Sequence, residues 1–156
     1  MKYLLILSVL LATTASAYEL AGKVVYVTDG DTITLLVDRE QHKIRLLGID
    51  APERKQPYGS KSTAMLSAMI KGKQITADCT KKDRYKRDLC TLYLDGLDIN
   101  SKMVRLGGAW VYRKYYKSGP YYALEAEAQA AKRGLWHTSE YQDIAPWGWR
   151  KQRRNK

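Results

Sequence analysis

The segment DGDTITLLVDREQHKIRLLGIDAPE, residues 29–53, joins strand-like stretches to a set of charged groups that strands alone do not need. Ile33, Leu35 and Val37 alternate along Thr32 to Val37 and define one apolar face. Asp29-Gly30 before this run and Asp38 to Gln41 after it are turn signals, and His42 to Leu47 reads as the next strand. Upstream, Leu20 to Thr28 carries Val24, Val25 and Val27 and reads as a further strand, so the three form a meander of short antiparallel strands. Arg45 lies within the apolar run Ile44, Leu46, Leu47, Ile49, where an unpaired charge would be costly to bury. Asp31 sits in the first turn, and Asp50 and Glu53 come where the last strand opens into a loop. Their candidate partners are each other, a metal or a phosphate. The stretch is therefore the candidate active site.

The remainder of the 156-residue chain is consistent with one domain and a sizeable core. Twelve tyrosines and four tryptophans stand against no phenylalanine, a bias toward rings that also hydrogen-bond. The net charge of +11 favours a polyanionic partner, nucleic acid or an anionic membrane surface, over a basic surface kept only for solubility. Residues 1–17 read as a signal peptide: Lys2, an apolar run from Tyr3 to Ala12, and the small-residue site Ala15-Ser16-Ala17. That run is shorter than the roughly 20 residues that span a bilayer, and no cysteine near the cut offers a lipid anchor. The mature chain is expected to start at Tyr18, exported to a periplasm or the medium, without stable membrane anchoring and as a monomer.

Export bears on Cys79 and Cys90, the only cysteines. A disulfide is favoured, closing a loop of about 12 residues and worth about 3 kcal/mol. Two buried thiols are the alternative, and a zinc site lacks nearby histidine.

Beyond the site loop, Gln56-Pro57-Tyr58-Gly59 breaks structure, and Ser60 is placed to cap a helix to Ile70 with Met65/Met69 and Leu66/Ile70 on its core side. Lys73 to Cys79 and Leu89 to Leu94 read as strands joined by the charged segment TKKDRYKRD. Ile99 to Leu106 reads as a helix, and Pro120 opens another to Arg133. Residues 18–150 form the expected domain, and 151–156 a loose basic tail. Five short strands with three helices, mainly β within the α+β class, suggest a five-stranded OB-type barrel. His42 lies on a strand and His137 follows Trp136 after a helix, and both read as structural or exposed.

The turn Asp83-Arg84-Tyr85-Lys86-Arg87 combines three cations with a phenol, a set able to hold a phosphate, although a charged hairpin tip is the plainer reading. Beside the carboxylate stretch its meaning sharpens, because carboxylates, a cation and arginines are the parts of phosphodiester hydrolysis. DGDT (29–32), IRLLGIDAPE (44–53) and DRYKR (83–87) together resemble the staphylococcal nuclease, or thermonuclease, family in order and spacing. VRLGGAWVYRKY and EAEAQAAKRGLW resemble its C-terminal half, and the PWGWR ending resembles small exported bacterial members.

The resemblance implies an OB-type fold and a calcium-dependent endonuclease acting on DNA and RNA and leaving 3′-phosphate ends. It implies that Asp31, Asp50 and the carbonyl of Ala51 bind calcium, that Glu53 directs or deprotonates water, and that Arg45 and Arg87 hold the scissile phosphate. Tyr85 matches a residue that contacts a phosphate of the bound nucleotide, and Arg84, Arg113 and Tyr115 complete the candidates for substrate binding. Ala51 stands where threonine is frequent, Lys86 where glycine is usual, and Arg113 where the family has a base-stacking tyrosine. The alternatives are an OB-fold nucleic-acid binder without catalysis and a cationic protein acting on membranes or acidic polymers.

Overall fold

A computed structural model of the chain describes residues 17–155; residues 1–16 of the expected leader lie outside them. The barrel is built from β1 (Tyr18–Asp29), β2 (Thr32–Val37), β3 (Glu40–Leu46), β5 (Gln74–Lys82) and β6 (Asp88–Leu94). Neighbouring strands run antiparallel in the order β3-β2-β1-β5-β6, and a parallel pairing of β3 with β6 closes the ring. Two short pieces, β4 (Ile49–Asp50) and β8 (Trp110–Val111), pair beside the barrel, and β7 (Leu97–Asp98) extends β6. The expected OB-type barrel of five strands is thus present.

Alternation along β2, β3, β5 and β6 lines the interior, and β1 interrupts it with register shifts between Val24 and Tyr26 and between Val27 and Asp29. Val24, Ile33, Leu35, Ile44, Leu46, Ala77, Cys79, Cys90 and Leu92 all point inward and are essentially inaccessible to solvent. Leu66 and Ile70 of α1 (Gly59–Ile70) and Met103 of α2 (Ile99–Arg105) cover the same core, with Met65 and Met69 packed at its margin. Asn100 of α2 is the polar pin of this packing. Its Oδ1 accepts from the Leu92 amide (3.1 Å) and its Nδ2 donates to the carbonyls of Leu47 (3.0 Å) and Cys90 (3.1 Å), which ties the helix to the end of β3.

The helices depart from the sequence reading in three places. Ser60 does not cap α1: the helix opens at Gly59 after Tyr58, which is left-handed (φ 68°) and caps nothing through its side chain. Its start is set by packing, since a Cβ on Gly59 would lie 1.9 Å from the Glu53 carbonyl. The third expected helix, α3 (Tyr121–Ala130), is shorter at both ends than 120–133. The tail expected to be loose from residue 151 is instead helical, because α5 (Pro146–Arg154) follows the short α4 (Ser139–Gln142) and starts with proline at its first turn. A second small core of Ala128, Leu135 and Trp136, with Trp110 and Tyr141 against it, supports this C-terminal region.

Cys79 and Cys90 face each other across β5 and β6 and form the expected disulfide. With the two cysteines 11 positions apart in sequence, replacing both by alanine is expected to lower the free energy of unfolding by about 2–4 kcal/mol, read from urea titrations of the oxidised protein and the double variant.

Candidate active site

The charged stretch is assembled by strand register. Thr32 lies opposite Arg45 across β2 and β3, and the Leu46 amide donates to the Asp31 carbonyl (2.8 Å), so Asp31 comes to rest beside Arg45. Ile44 and Leu46 point into the core, which turns Arg45 to the other face. There the chain doubles back at Gly48 (φ 79°) into β4, and Arg45 ends with only 11% of its side chain exposed. Its Nη1 donates to the carbonyls of Leu46 (2.7 Å) and Ile49 (2.8 Å). Its Nη2 lies 2.9 Å from Oδ1 of Asp50 and 3.1 Å from Oδ2 of Asp31.

Asp31 is fixed further by the Ala51 amide, which donates to Oδ2 (2.6 Å), and by the Thr32 hydroxyl on Oδ1 (3.0 Å). Beneath it, Gly30 is pressed against α1: a Cβ there would meet the Ser62 hydroxyl at 1.8 Å. Glu53 stands on the next turn, where its amide donates to Oε1 of Gln56 (3.1 Å) and the Gln56 amide donates back to its carbonyl (2.7 Å). Gln56 in turn donates through Nε2 to the carbonyl of Ile144 (2.6 Å), so the turn bearing Glu53 is stitched to the C-terminal segment.

That segment supplies a residue that sequence reading did not single out. Arg150, on α5, donates through Nη2 to Oδ2 of Asp50 (2.6 Å) and through Nη1 to Oδ1 of Asp50 (3.1 Å) and Oε1 of Glu53 (2.7 Å). The available signals were the helix-opening Pro146 and the tryptophans of PWGWR, which mark a segment that docks.

The environment moves several of these groups. Burial and the neighbouring Asp31 charge push the Asp29 carboxyl up to about 7. Burial also raises Asp50, aided by Asp31 and opposed by the bonds from Arg150 and Arg45. For Arg150, burial works against the charge, but its bonds to Asp50 and Glu53 prevail and raise it.

The loop from 83 to 87 is organised internally. Oδ1 of Asp83 accepts from the amides of Tyr85 (2.8 Å) and Arg87 (3.0 Å), and the Lys86 amide donates to the Asp83 carbonyl (2.9 Å). Lys86 itself is left-handed at φ 63°, the conformation that makes glycine usual at this point of the family motif. The Arg87 guanidinium is drawn back onto Asp83, with Nη2 2.7 Å and Nε 2.8 Å from Oδ2, and touches none of the three site carboxylates. Arg45 lies opposite Leu89 in the parallel β3–β6 pair, so alternation puts Arg87, two residues before Leu89, on the same outer face as Arg45. Tyr85 is exposed, with its ring beneath Arg84 and its hydroxyl accepting from Arg84 Nη2 (2.6 Å).

Arg113 is committed elsewhere. Its guanidinium pairs with the buried Glu125, which also accepts from the Val111 amide (2.8 Å), so its first role is to neutralise a carboxylate of α3. Tyr115 is exposed and meets Tyr112 edge-on at 5.0 Å, while Tyr112 stacks on Trp147 at 5.8 Å.

Among the described residues, no three His, Cys, Asp or Glu side chains gather as a ready-made metal cluster. The donors on hand are Asp31 and Asp50, two buried carboxylates that converge on one guanidinium nitrogen. Hard oxygens of this kind fit calcium or magnesium, whereas the only thiols are locked in the disulfide.

An OB-type barrel that gathers paired carboxylates, a further partly exposed carboxylate and guanidinium groups has the chemistry expected of a phosphodiester-cleaving protein. The chain belongs to the family described as staphylococcal nuclease homologues, whose profile matches residues 43–138. It is 44% identical over 133 residues to a protein of Escherichia coli named an uncharacterized endonuclease, covering 85% of this chain and 86% of that one. It is also 34% identical over 158 residues to a micrococcal nuclease of Shigella flexneri, covering 94% and 90%. A Haemophilus influenzae protein, again named an uncharacterized endonuclease, is 39% identical over 131 residues, 83% of this chain and 72% of its own. The chain is a nuclease, and its substrates are nucleic acids.

Asp88, next to Arg87, supports the loop from below. It is 1% exposed and accepts from Lys82 Nζ (2.6 Å) and the Tyr18 hydroxyl, with His42 Nδ1 3.5 Å away. Burial would raise its carboxyl, but the bonds from Lys82 and Tyr18 outweigh it and hold it below the usual range. A lowered native value stabilises the fold above the unfolded value of about 3.9, and this contribution is lost as pH falls through the native value. Asp88→Asn is expected to cost about 1–3 kcal/mol near neutrality and to converge on the parent protein in acid, as read from urea unfolding across pH.

Proposed function

We propose that this nuclease is a calcium-dependent endonuclease that hydrolyses DNA and RNA to products with 3′-phosphate ends, and that it acts after export. The observation that carries the reading is the single Arg45 nitrogen shared by Asp31 and Asp50, with Glu53 one turn away and bridged to Asp50 by Arg150. Such a cluster brings together charges of both signs, the kinds that bind a hard cation and a phosphate.

Asp31, Asp50 and the carbonyl of Ala51 would hold calcium. Calcium, when bound, supplies positive charge to offset the charge that builds on the phosphoryl oxygens. Glu53, partly exposed at its turn, takes a proton from the attacking water. Water adds to phosphorus, the bond to the 5′ oxygen breaks with its electron pair leaving on that oxygen, and the phosphate stays on the 3′ side. Arg45 donates to the phosphate from a fixed position. Arg87 exchanges Asp83 for a phosphate oxygen when substrate enters, and Arg84 and Tyr85, on the same loop, hold a neighbouring phosphate. Tyr115 offers an exposed ring to a base; Arg113 reaches substrate only from its place beside Glu125.

The groups assigned to chemistry address phosphate, not the sugar 2′ position, which supports action on both DNA and RNA. The net charge of +11 favours such polyanions. The disulfide supports an oxidising compartment, in a periplasm or outside the cell. No helix of the described residues is long and apolar enough to cross a membrane.

Digestion of DNA and RNA by the mature protein should require calcium and stop in chelator. Glu53→Ala should lose about 10²–10⁴-fold in rate, the usual contribution of a general base. Arg87→Ala should lose a comparable share of rate, and polymerase extension of the cut ends should require prior phosphatase treatment. Undiminished cutting by both variants would remove Glu53 and Arg87 from the mechanism.

A further inference from the structure

Both oxygens of Asp50 are engaged by arginines. Oδ1 receives Arg45 at 2.9 Å and Arg150 at 3.1 Å, and Oδ2 receives Arg150 at 2.6 Å. The same Arg150 guanidinium reaches Oε1 of Glu53 at 2.7 Å. A planar fork with several fixed donors therefore bridges the buried carboxylate assigned to the cation and the carboxylate assigned to water. Asp50 is completely buried, and leaving a buried carboxylate without a counter-charge is strongly unfavourable. Arg150 supplies that counter-charge from the protein itself.

The two partners differ in their freedom to move. Arg45 is 11% exposed and tied by Nη1 to two backbone carbonyls, so it cannot leave without undoing the turn from β3 to β4. Arg150 has 37% of its side chain exposed, and among the described residues its guanidinium hydrogen-bonds to Asp50 and Glu53. The helix that carries it is held by other contacts. Pro146 is buried, Trp147 stacks on Tyr112 at 5.8 Å and meets Trp110 edge-on at 5.9 Å, and the preceding Ile144 carbonyl accepts from Gln56. The guanidinium can swing outward on its own side chain while α5 stays docked.

We propose that Arg150 is a positioning residue that holds the cation's place: it keeps Asp50 and Glu53 converged, and a divalent cation must displace it to bind. The inference rests on the assignment of Asp50 to the cation. Competition of this kind sets the calcium concentration at which the site loads, because the affinity measured for the cation is reduced by the stability of the pair it breaks. It also makes loading release one guanidinium next to the site at the moment when substrate phosphate needs donors.

Calorimetric titration of calcium into chelator-stripped protein tests this without reference to cutting. Arg150→Met is expected to bind calcium about ten-fold or more tightly than the parent, the scale at which loss of a buried charge pair is felt. Arg150→Lys, which keeps the charge but not the fork, should fall between them. Lys151→Met removes a neighbouring exposed charge from the same helix and should change the affinity little. Equal or weaker binding by Arg150→Met, or an equal gain in Lys151→Met, would overturn the inference while leaving the cation site standing. Unchanged binding in Asp50→Asn would overturn the cation assignment itself and the inference with it. In the unmodified protein, the Arg150 Nη–H signals in NMR should be separately resolved without calcium and merge at saturation as the group is freed to rotate. Their persistence at saturating calcium would also overturn the displacement.

Discussion

The guanidinium of Arg45 is the constraint on which the site is built. It must be satisfied in a place with little water, and it is satisfied by two backbone carbonyls of the turn it precedes and by two carboxylates, Asp31 from the turn between β1 and β2 and Asp50 from β4. The carbonyl bonds fix the path from β3 into β4. The carboxylate bonds fix Asp31 against Asp50, an approach that two like charges would resist without it. Folding and the proposed chemistry thus draw on one side chain: the barrel cannot close its β3 end without arranging the groups assigned to the reaction.

Around this centre the molecule places a second set of charges that are paired among themselves. Arg87 lies on Asp83, Arg113 on Glu125, and Arg150 on Asp50 and Glu53. These pairs differ in kind. Glu125 is buried, and Arg113 is its structural complement. Asp83 organises its own loop through backbone amides, so Arg87 can leave it without the loop losing its form. Arg150 is different again, since its partners are the carboxylates assigned to the reaction.

The strands were legible because burial imposes a period of two, and Thr32 to Val37 matches the observed β2 residue for residue. The cluster of Arg45 with the carboxylates was legible because a charge inside the run Ile44 to Ile49 demands partners nearby in sequence. The disulfide followed from there being only two cysteines. What escaped the reading depends on contacts across long separations. Arg150 meets Asp50 from 100 residues away, and a basic run such as RKQRRNK looks locally like a solvated end. Ser60 has the right chemistry for a cap, yet the helix begins where Gly59 can lie against the Glu53 carbonyl, which no local rule reveals. Arg113 stands where a tyrosine is usual in the family, and only the fold shows that Glu125 claims it.

The cross-strand disulfide has a topological consequence. Because Cys79 and Cys90 are bonded partners on adjacent strands, residues 80–89 form a covalent ring that hangs from the barrel and carries Arg84, Tyr85 and Arg87 at its tip. Hydrolysis of a peptide bond in that ring does not divide the molecule. It converts one chain into two that remain joined at the sulfurs and zipped together by the pairing of β5 with β6. Arg84 and Lys86 at the exposed tip are residues after which trypsin-like enzymes cut, and a protein clipped once there stays one covalent molecule until it is reduced.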